Sequence, residues 1–296
     1  MKILITGANG LLGQKMVQLL SEEKIDFLAT SNGPSRIQTP DTPYRSLDVL
    51  NRDQVNDLIR EYSPTAIIHT AAMTQVDQCE TEREKCWELN VTAVTHLIEA
   101  CNAIDSHLIH LSTDFIFDGL EGPYDEKALA NPVNFYGQSK EAAEKLLFKS
   151  KIKWSIVRTI LVYGATPGSS RSNIMLWVKK NLESGNSIQV VNDQYRTPTL
   201  VEDLAKGCYL IASQSAYGIY NIAGADLLTP YEIAVITARY FSLDMTLIAE
   251  ANSQNFKQPA KRPLRTGLVI EKAQRDLHYL PHSFEDGLAL TASYWD

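Results

Sequence analysis

The clearest chemical pattern in the sequence is the segment NFYGQSK, in which Tyr136 and Lys140 stand four residues apart. This spacing places both side chains on one face of a helix. A phenol has a pKa of about 10, so it takes part in proton transfer near neutral pH when a neighbouring positive charge stabilises its anion. Lys140 can supply that charge and lower the tyrosine pKa. The pair predicts acid–base chemistry, although the same spacing also occurs on ordinary surface helices.

Two further polar residues follow a β-branched run upstream, in the segment HLSTDFIFDG. Ligands of open α/β sheets bind at the carboxyl ends of the strands. At such an end the Thr113 hydroxyl can hydrogen-bond a substrate carbonyl, and Asp114 can reach substrate hydroxyls. The alternative is that these polar groups only close the end of a strand.

Three glycines occupy the first strand-to-helix turn, in the segment GANGLLG. In such a turn one glycine permits a tight bend, and one lets backbone N–H groups touch phosphate oxygens. A third lets the helix pack closely on the sheet. The turn predicts dinucleotide binding through Gly7, Asn9, Gly10, Leu11, Leu12 and Gly13. Taken without other motifs, the triplet is also compatible with a tight turn alone.

The choice between the two nicotinamide dinucleotides is set where the second strand ends, in ATSNGPSR. An acidic residue at this place binds the ribose hydroxyl of NAD, and an arginine accommodates the 2′-phosphate of NADP. No carboxylate stands at Thr30, Ser31 or Asn32, whereas Arg36 is within reach. We therefore predict that NADP(H) is used at least as well as NAD(H). The alternative is that Arg36 is a solvated loop residue.

Later segments predict the rest of the dinucleotide site. Asp48, in SLDV, can accept a hydrogen bond from the adenine amino group, and Val49 follows it. In HTAAM, three small residues leave room for the dinucleotide: Thr70, Ala71 and Ala72. Each of these residues is also compatible with plain packing.

Short β-branched runs alternate with amphipathic helical patterns in the first half of the chain, which is typical of βαβ units and a parallel sheet. The predicted strands are Lys2–Thr6, Asp26–Thr30, Ala66–Thr70, His107–Ser112 and Trp154–Arg158. The predicted helices are Gln14–Leu20, Gln54–Glu61, Lys85–Cys101 and Ser139–Phe148. They predict a doubly wound parallel α/β domain over residues 1–165. The loop ATPGSSRS leads into a smaller, mainly substrate-binding lobe over residues 166–296, some segments of which return to the core.

The composition is that of a globular protein that acts on small molecules. The 296 residues are 44% hydrophobic and carry a formal net charge of −7, with no block of like charge. This balance excludes the basic face that binding to nucleic acid or to an anionic membrane needs. The four cysteines match neither a zinc site nor a redox pair, which favours a reduced, cytoplasmic setting. No long apolar run is present, so we expect neither a signal peptide nor a spanning helix.

The chain resembles the extended short-chain dehydrogenase/reductases, most closely the dTDP-4-dehydrorhamnose reductase family. The segments that carry the resemblance are LITGANGLLG, AAMTQVDQCE, LSTDFIFDG, NPVNFYGQSK, VNDQYRTPTLVEDLA and KRP. The resemblance implies a Rossmann lobe that binds NADP(H) or NAD(H) and a smaller lobe that binds a nucleotide sugar. It also implies a catalytic triad of Thr113, Tyr136 and Lys140, assisted by Asn90. The alternative for Asn90 is a buried amide satisfied by backbone groups.

The implied reaction is the reduction of dTDP-4-dehydro-L-rhamnose at its 4-keto carbon. Tyr136 would protonate the oxygen, Lys140 would hold the nicotinamide ribose, and Thr113 would polarise the carbonyl. The substrate-binding candidates are Thr113, Asp114, Tyr136, Leu161, Arg196 and Arg262. The two arginines are candidates because paired guanidinium groups suit a diphosphate. Their alternative is a solvated surface position.

The chain departs from the family pattern at two places. Ile160 and Leu161, in RTILVYG, stand where members with rhamnose activity commonly carry Ser-Trp, so the aromatic contact to the sugar is missing. Lys15 and Ser187 stand where some members use acidic side chains to hold magnesium between subunits. We therefore predict no metal site and leave the identity of the sugar open.

Two other functions remain open. An epimerase of the extended family keeps NAD tightly bound and regenerates it in each cycle. A non-catalytic regulator, resembling the regulatory subunit of methionine adenosyltransferase, needs no triad, so the presence of all three triad residues disfavours it. Dehydration is disfavoured because Phe115 stands where dehydratases carry a second acid. The sequence does not fix the oligomeric state, and a homodimer stays open.

Overall fold

A seven-stranded parallel sheet lies at the centre of the computed structural model, which describes residues 1–166, 173–292 and 294. The strands of the described residues are β1 Lys2–Thr6, β2 Asp26–Ser31, β3 Tyr44–Ser46, β4 Ala66–His69, β5 His107–Thr113, β6 Trp154–Thr159, β7 Val162–Tyr163, β8 Ile188–Val191, β9 Thr199–Leu200, β10 Gly218–Asn221 and β11 Ile248–Ala251. The central sheet has the order β10-β6-β5-β4-β1-β2-β3. The predicted doubly wound sheet is confirmed, and each predicted strand is present within one residue of its predicted ends.

Helices cover both faces of this sheet. Those of the described residues are α1 Leu11–Glu22, α2 Arg52–Tyr62, α3 Val76–Thr81, α4 Arg83–Trp87, α5 Ala93–Ile104, α6 Phe135–Lys149, α7 Ile174–Glu183, α8 Val201–Ser213, α9 Pro230–Tyr240, α10 Glu271–Leu277 and α11 Phe284–Ala292. One apolar cluster packs under α1 and α8, and a second packs under α2 and α5 on the opposite face. Burial on both faces explains the unbroken apolar runs of β1 and β4. No helix in the described ranges is long and apolar enough to cross a membrane.

The segment Lys85–Cys101 is helical throughout, as predicted, but it is not one regular α-helix. The segment contains α4, then a π-helical turn over Glu88–Thr92, and then α5. A π-turn widens a helix locally, which the spacing of apolar residues does not reveal. Asn90 lies in the widened turn.

The C-terminal part adds two small parallel strand pairs beside the sheet. β8 pairs with β11, and α7 and α9 pack on this pair through their own apolar cluster. β7 pairs with β9, next to α11. The chain also returns to the main sheet, where β10 pairs with β6 and α8 packs on α1. The division at residue 165 stays a prediction, and residues 167–172 of the predicted ATPGSSRS loop lie outside the described residues.

Candidate active site

The turn between β1 and α1 depends on backbone approaches that a side chain would block. Gly7 has a φ of +77°, and a Cβ built on it would lie 2.6 Å from the Ala71 nitrogen. A Cβ on Gly13 would lie 2.5 Å from both the Ala8 Cα and the Gly7 carbonyl oxygen. Gly10 immediately precedes α1 and donates its N–H to the Gly7 carbonyl oxygen at 2.9 Å. The first and third glycines therefore serve the bend and the close helix packing.

The glycine-loop cavity, of about 590 Å³, opens over this turn along the carboxyl ends of β1, β2 and β4. Its wall contains most of the predicted cofactor-binding residues: Gly7, Asn9, Gly10, Leu11, Arg36, Asp48, Val49, Thr70, Ala71 and Ala72. Arg36 is tied to the turn, because its backbone N–H donates to Asn9 Oδ1 at 2.8 Å. The structure thus brings together residues that lie up to 65 positions apart in the sequence, Gly7 and Ala72.

The tyrosine cavity, of about 510 Å³, lies at the carboxyl ends of β5 and β6. The predicted residues in its wall are Leu12, Thr113, Asp114, Tyr136, Lys140, Leu161, Arg196 and Arg262. The residues common to both cavity walls are Gly10, Leu11, Thr70 and Ala72. The two cavities therefore meet at the glycine turn, beside the point between β1 and β4 where the strand order reverses. Ligands of doubly wound sheets bind at this point.

Tyr136 stands in the first turn of α6, at the wall of the tyrosine cavity. Asn134 caps this helix by accepting a hydrogen bond from the Gly137 N–H at 2.8 Å, which fixes where the helix begins. Burial raises the pKa of Tyr136, and a hydrogen bond with Thr113 lowers it by less. The phenol is therefore protonated at neutral pH and can act as a proton donor.

The expectation that Lys140 lowers the tyrosine pKa stays a prediction, because burial is the largest influence on the Tyr136 pKa in this structure. The Lys140 Nζ donates to His110 Nε2 at 3.2 Å. Burial lowers the pKa of Lys140 to about 8, while Glu144 and Cys86 act in the opposite direction. The lysine is mainly an ammonium ion at pH 7 and titrates just above that pH.

Asp114 links the end of β5 to the C-terminal lobe. Its carboxylate accepts hydrogen bonds from Thr113 Oγ1 at 3.1 Å and from Thr266 Oγ1 at 2.5 Å. Arg196 Nε lies 4.0 Å from the same carboxylate. Burial raises the pKa of Asp114 to about 6, against the lowering by Arg196 and the two hydroxyls. These contacts hold the Thr113 hydroxyl at the cavity wall.

The two arginines predicted to bind a diphosphate both line the tyrosine cavity, but most of their donors are engaged. Arg196 is buried and donates to the carbonyl oxygens of Pro263 at 2.6 Å and Leu264 at 3.0 Å. Arg262 forms a bidentate ion pair with Asp77, at 2.7 and 3.0 Å. A clamp in which both guanidinium groups give paired hydrogen bonds to a diphosphate does not fit these contacts. Their charges remain at the wall.

Leu161 lies in the wall of the same cavity, next to Ile160 and Val162. Its φ of +40° is in the left-handed region, which a branched side chain rarely adopts. Strained residues of this kind cluster at ligand sites. The part of the tyrosine-cavity wall formed by residues 160–162 is therefore aliphatic, as the RTILVYG segment predicts.

Asn90 is the predicted catalytic residue that lines neither cavity. It is buried, and its Oδ1 accepts from the Met73 N–H at 2.8 Å. Its Nδ2 donates to the Met73 carbonyl oxygen at 3.1 Å and to Ser139 Oγ at 3.0 Å. Ser139 in turn donates to the Tyr136 carbonyl oxygen at 2.7 Å. Asn90 is thus a buried amide that supports the helix turn carrying the tyrosine.

Several residues of this site were not assigned to it from the sequence, among them Phe115, Gln194 and His110. Phe115 and Gln194 line the tyrosine cavity, and Gln194 Oε1 accepts from Arg196 Nη2 at 3.3 Å. His110 lies behind the cavity, in contact with Lys140. The sequence feature that could have identified His110 is its place between the apolar residues Ile109 and Leu111 of a predicted strand.

Lys15 stands where some members of the family use an acidic side chain to hold magnesium. In this protein Lys15 forms an ion pair. Its Nζ lies 2.7 Å from Glu202 Oε1 and 3.7 Å from the centroid of the Tyr294 ring. Within the part of the chain that the structure describes, no cluster of three or more histidine, cysteine, aspartate or glutamate side chains could hold a metal ion. The lysine joins α1 to the start of α8.

Comparisons with known proteins agree with this architecture. The model of the RmlD substrate binding domain family matches residues 1–294. The chain is 31% identical over 305 residues to a dTDP-4-dehydrorhamnose reductase of Aggregatibacter actinomycetemcomitans, covering 99% of each protein. It is 31% identical over 247 residues to methionine adenosyltransferase 2 subunit beta of Xenopus laevis, covering 82% of this chain and 72% of that protein.

A solved structure shows the same fold over the whole length. The dTDP-4-dehydrorhamnose reductase of Bacillus anthracis, in complex with NADP, superposes with a TM-score of 0.87 at 29% identity, covering 99% of this chain and 100% of that one. Since the family model matches nearly every residue, the protein belongs to the RmlD substrate binding domain family.

Proposed function

We propose that this protein is an NAD(P)H-dependent reductase of a nucleotide-linked 4-keto sugar, and that it converts dTDP-4-dehydro-L-rhamnose to dTDP-L-rhamnose. The junction of the two cavities carries the proposal. Thr113, Tyr136 and Lys140 line one cavity, which meets the other at the glycine turn. The dTDP-4-dehydrorhamnose reductases among the relatives support the same reaction.

The residues of the glycine-loop cavity fit a nicotinamide dinucleotide. No side chain caps the N-terminus of α1 at Gly10, so the first N–H groups of this helix are available to a pyrophosphate. A Cβ on Gly7 would collide with the backbone of Ala71, just after β4. Asp48 and Val49 would hold the adenine at the far end of the cavity. A bound NAD(P)H would supply the hydride that the carbonyl carbon receives.

Three side chains of the tyrosine cavity act on one carbonyl oxygen in this proposal. Tyr136, protonated because burial raises its pKa, donates its proton to the oxygen. The Thr113 hydroxyl, which donates to Asp114 in this structure, would turn its single proton to the same carbonyl oxygen when the substrate binds. The Lys140 ammonium places a positive charge beside the oxygen as negative charge develops there. Because all three side chains are buried, water does not screen these interactions.

We propose that NADPH is used at least as well as NADH. Ser31, Asn32 and Arg36 lie in the wall of the glycine-loop cavity, and the stretch from Ser31 to Arg36 contains no carboxylate. The hydrogen bond between the Arg36 backbone and Asn9 keeps the arginine next to the turn. A 2′-phosphate would meet a guanidinium group there and no opposing acid.

For the substrate lobe, Asp114, Leu161, Arg196 and Arg262 are proposed to contact the nucleotide sugar. Leu161 gives the sugar an aliphatic wall, and Asp114 accepts from sugar hydroxyls. Arg196 and Arg262 contribute positive charge close to the diphosphate.

The compartment is proposed to be the reduced cytoplasm, in keeping with four buried free thiols. A homodimer is proposed as the state in solution, which sedimentation measures.

The test is a screen of dTDP-, UDP- and GDP-linked 4-keto sugars with NADPH, followed by the nicotinamide absorbance. We expect stoichiometric oxidation of the cofactor with the dTDP-linked substrate. An epimerase would instead retain NAD through purification and show no net oxidation.

The relative that is a methionine adenosyltransferase subunit motivates a second arm of the same experiment. The protein is mixed with a methionine adenosyltransferase catalytic subunit, and transferase activity is measured. Stimulation of that enzyme, together with no turnover of any keto sugar, would replace the reductase assignment with a regulatory one.

A further inference from the structure

A line of buried polar side chains runs from the tyrosine cavity into the central sheet. His69 in β4 and His110 in β5 are paired in register on adjacent strands, and their rings stack at 5.5 Å. His110 Nε2 lies 3.2 Å from Lys140 Nζ, and His69 Nδ1 lies 2.7 Å from Thr6 Oγ1. Both histidines are 1% exposed. The line connects the predicted catalytic lysine to β1.

The protonation of His110 follows from its surroundings. Burial and the Lys140 charge lower the pKa of both histidines, to about 3 for His69. Both rings are therefore neutral at physiological pH. A lysine ammonium has three donors and no acceptor, so His110 Nε2 must be the acceptor of the contact. The ring proton of His110 is then on Nδ1.

Filling this part of the core with two histidines lowers the stability of the fold. His110 Nδ1 and His69 Nε2 are buried, and neither has a hydrogen-bond partner among the described residues. Buried polar atoms without partners lower stability, whereas aliphatic side chains would fill the same space without that cost. The strand neighbours Ile68 and Ile109 are aliphatic. A role beyond packing is therefore indicated for the histidine that touches Lys140.

Among the described residues, the charged or titratable groups that act on Lys140 besides the histidines of β4 and β5 include Glu144 on α6 and the Cys86 thiol on α4. Tyr136 lies one turn earlier on α6, in the same cavity wall. The Glu144 carboxylate is occupied by Arg158, at 2.7 Å, and by Ser112, at 2.5 Å. His110 is the hydrogen-bond acceptor that the described residues offer directly to the Lys140 ammonium.

We propose that His110 is a positioning residue, which accepts a hydrogen bond from the Lys140 ammonium and keeps this group charged and fixed at the wall of the tyrosine cavity. His69 stacks on the ring and holds its orientation. The proposal rests on the proposed reductase function for its effect on turnover, but the bond itself is a property of the protein alone.

The sign of the pH effect follows from this bond. A hydrogen bond to the charged form of an amine raises its pKa. Removing the acceptor therefore lowers the Lys140 pKa further from its present value of about 8. Turnover needs the ammonium, so activity is present below this pKa and is lost as the pH rises through it. The alkaline limb of the kcat/KM profile should move to lower pH.

The test compares His110→Leu, which has no acceptor, with His110→Gln, whose Oε1 can take the place of Nε2. His107→Leu is the matched control, because His107 lies on the same strand, is also buried, and bonds Ser155 rather than the lysine. For His110→Leu we expect an alkaline limb lowered by about half a pH unit or more and a kcat reduced about tenfold, with KM little changed. His110→Gln should restore the limb, and His107→Leu should leave it in place.

A second readout needs neither cofactor nor substrate. Lysine labelled with ¹³C at Cε reports the Lys140 pKa by NMR, and the resonance is assigned by its loss in Lys140→Met. The pKa should fall in His110→Leu and recover in His110→Gln. An unchanged Lys140 pKa in folded His110→Leu, or an equal shift in His107→Leu, would overturn the proposal. If the reductase function fails instead, the NMR shift persists in the absence of any turnover.

Discussion

The two cavities that meet at Gly10 are built from different kinds of group. The glycine-loop cavity is lined largely by backbone, by small side chains and by exposed polar ones such as Arg36. The tyrosine cavity contains Asp114, Tyr136 and Lys140, each less than a tenth exposed and each with a pKa shifted by burial. In the proposed reaction the first region would recognise its ligand by shape, so we expect it to be sensitive to added atoms. The second depends on charge in a water-poor space, so it is sensitive to the loss of single polar atoms.

The largest effect is expected for Tyr136→Phe, which removes one oxygen from the tyrosine cavity. Loss of a general acid should reduce kcat by roughly 10²–10⁴-fold, while NADPH binding, measured by fluorescence titration, stays as in the wild type. Tyr220→Phe is the control, because Tyr220 is similarly buried but lines neither cavity. If Tyr136→Phe retained its turnover, the tyrosine cavity would not be sensitive to the loss of a single polar atom, and the contrast with the glycine-loop cavity would fail.

The next effect is expected when one atom is added to the glycine-loop cavity. Gly7→Ala and Gly33→Ala share a left-handed φ, +77° and +78°, and backbone strain should cost each about 1–2 kcal/mol of stability, to which the collision with Ala71 adds in Gly7→Ala alone. A Cβ at Gly33 meets nothing within 4 Å, whereas at Gly7 it meets the Ala71 backbone. Only Gly7→Ala should weaken NADPH binding, by about tenfold or more. Equal binding losses in both variants would show that strain, and not close approach, matters.

A smaller effect is expected at the exposed edge of the same cavity. Arg36→Ala should reduce kcat/KM for NADPH about tenfold, the value of one hydrogen bond to a charged group, and leave the value for NADH nearly unchanged. Arg45→Ala is the control, since Arg45 pairs with Glu61 outside the cavity. A wild-type enzyme that strongly prefers NADH would contradict the assignment of the NADP phosphate to Arg36.

A separate effect concerns stability rather than turnover. The Asp114 pKa is raised from 3.8 to about 6 in the folded protein. Its ionisation therefore disfavours folding, and the free energy of unfolding should fall as the pH rises between these two values. Urea denaturation at several pH values should show less of this fall in Asp114→Asn than in the wild type. An identical pH dependence in the two proteins would mean that the carboxylate is well compensated when charged.

Most of the fold could be predicted, because local sequence patterns specify its strands and helices. Apolar runs of β-branched residues and amphipathic spacing mark the strands of the sheet and the helices on it. The glycines, Thr113, Tyr136 and Lys140 could also be found, since a short motif places each at the end of a strand or the start of a helix. Topology then brings the strand ends to one edge.

The parts that could not be predicted depend on partners far away in the sequence. The direction of the Tyr136 pKa shift is set by burial, and Tyr136 packs with Cys79 and Cys86, partners that periodicity does not locate. Lys140 reaches His110 across 30 positions, and Arg262 reaches Asp77 across 185. In the π-turn, the Asn90 side chain accepts a hydrogen bond from the Met73 N–H, 17 positions away. Motifs therefore find the reacting groups, and tertiary contacts decide how these groups behave.

The bonds around Arg196 have a consequence for the engineering of new substrate preferences. Arg196 donates to the carbonyl oxygens of Pro263 and Leu264, and the Tyr195 N–H donates to Leu264 as well, at 2.7 Å. Two segments that are distant in the chain therefore make one continuous surface. A chimera that takes only one of these two segments from another family member would leave the buried Arg196 guanidinium, or the carbonyl oxygens that accept from it, without hydrogen-bond partners. Transplanted specificity will require residues 194–197 and 262–266 to be exchanged as a pair.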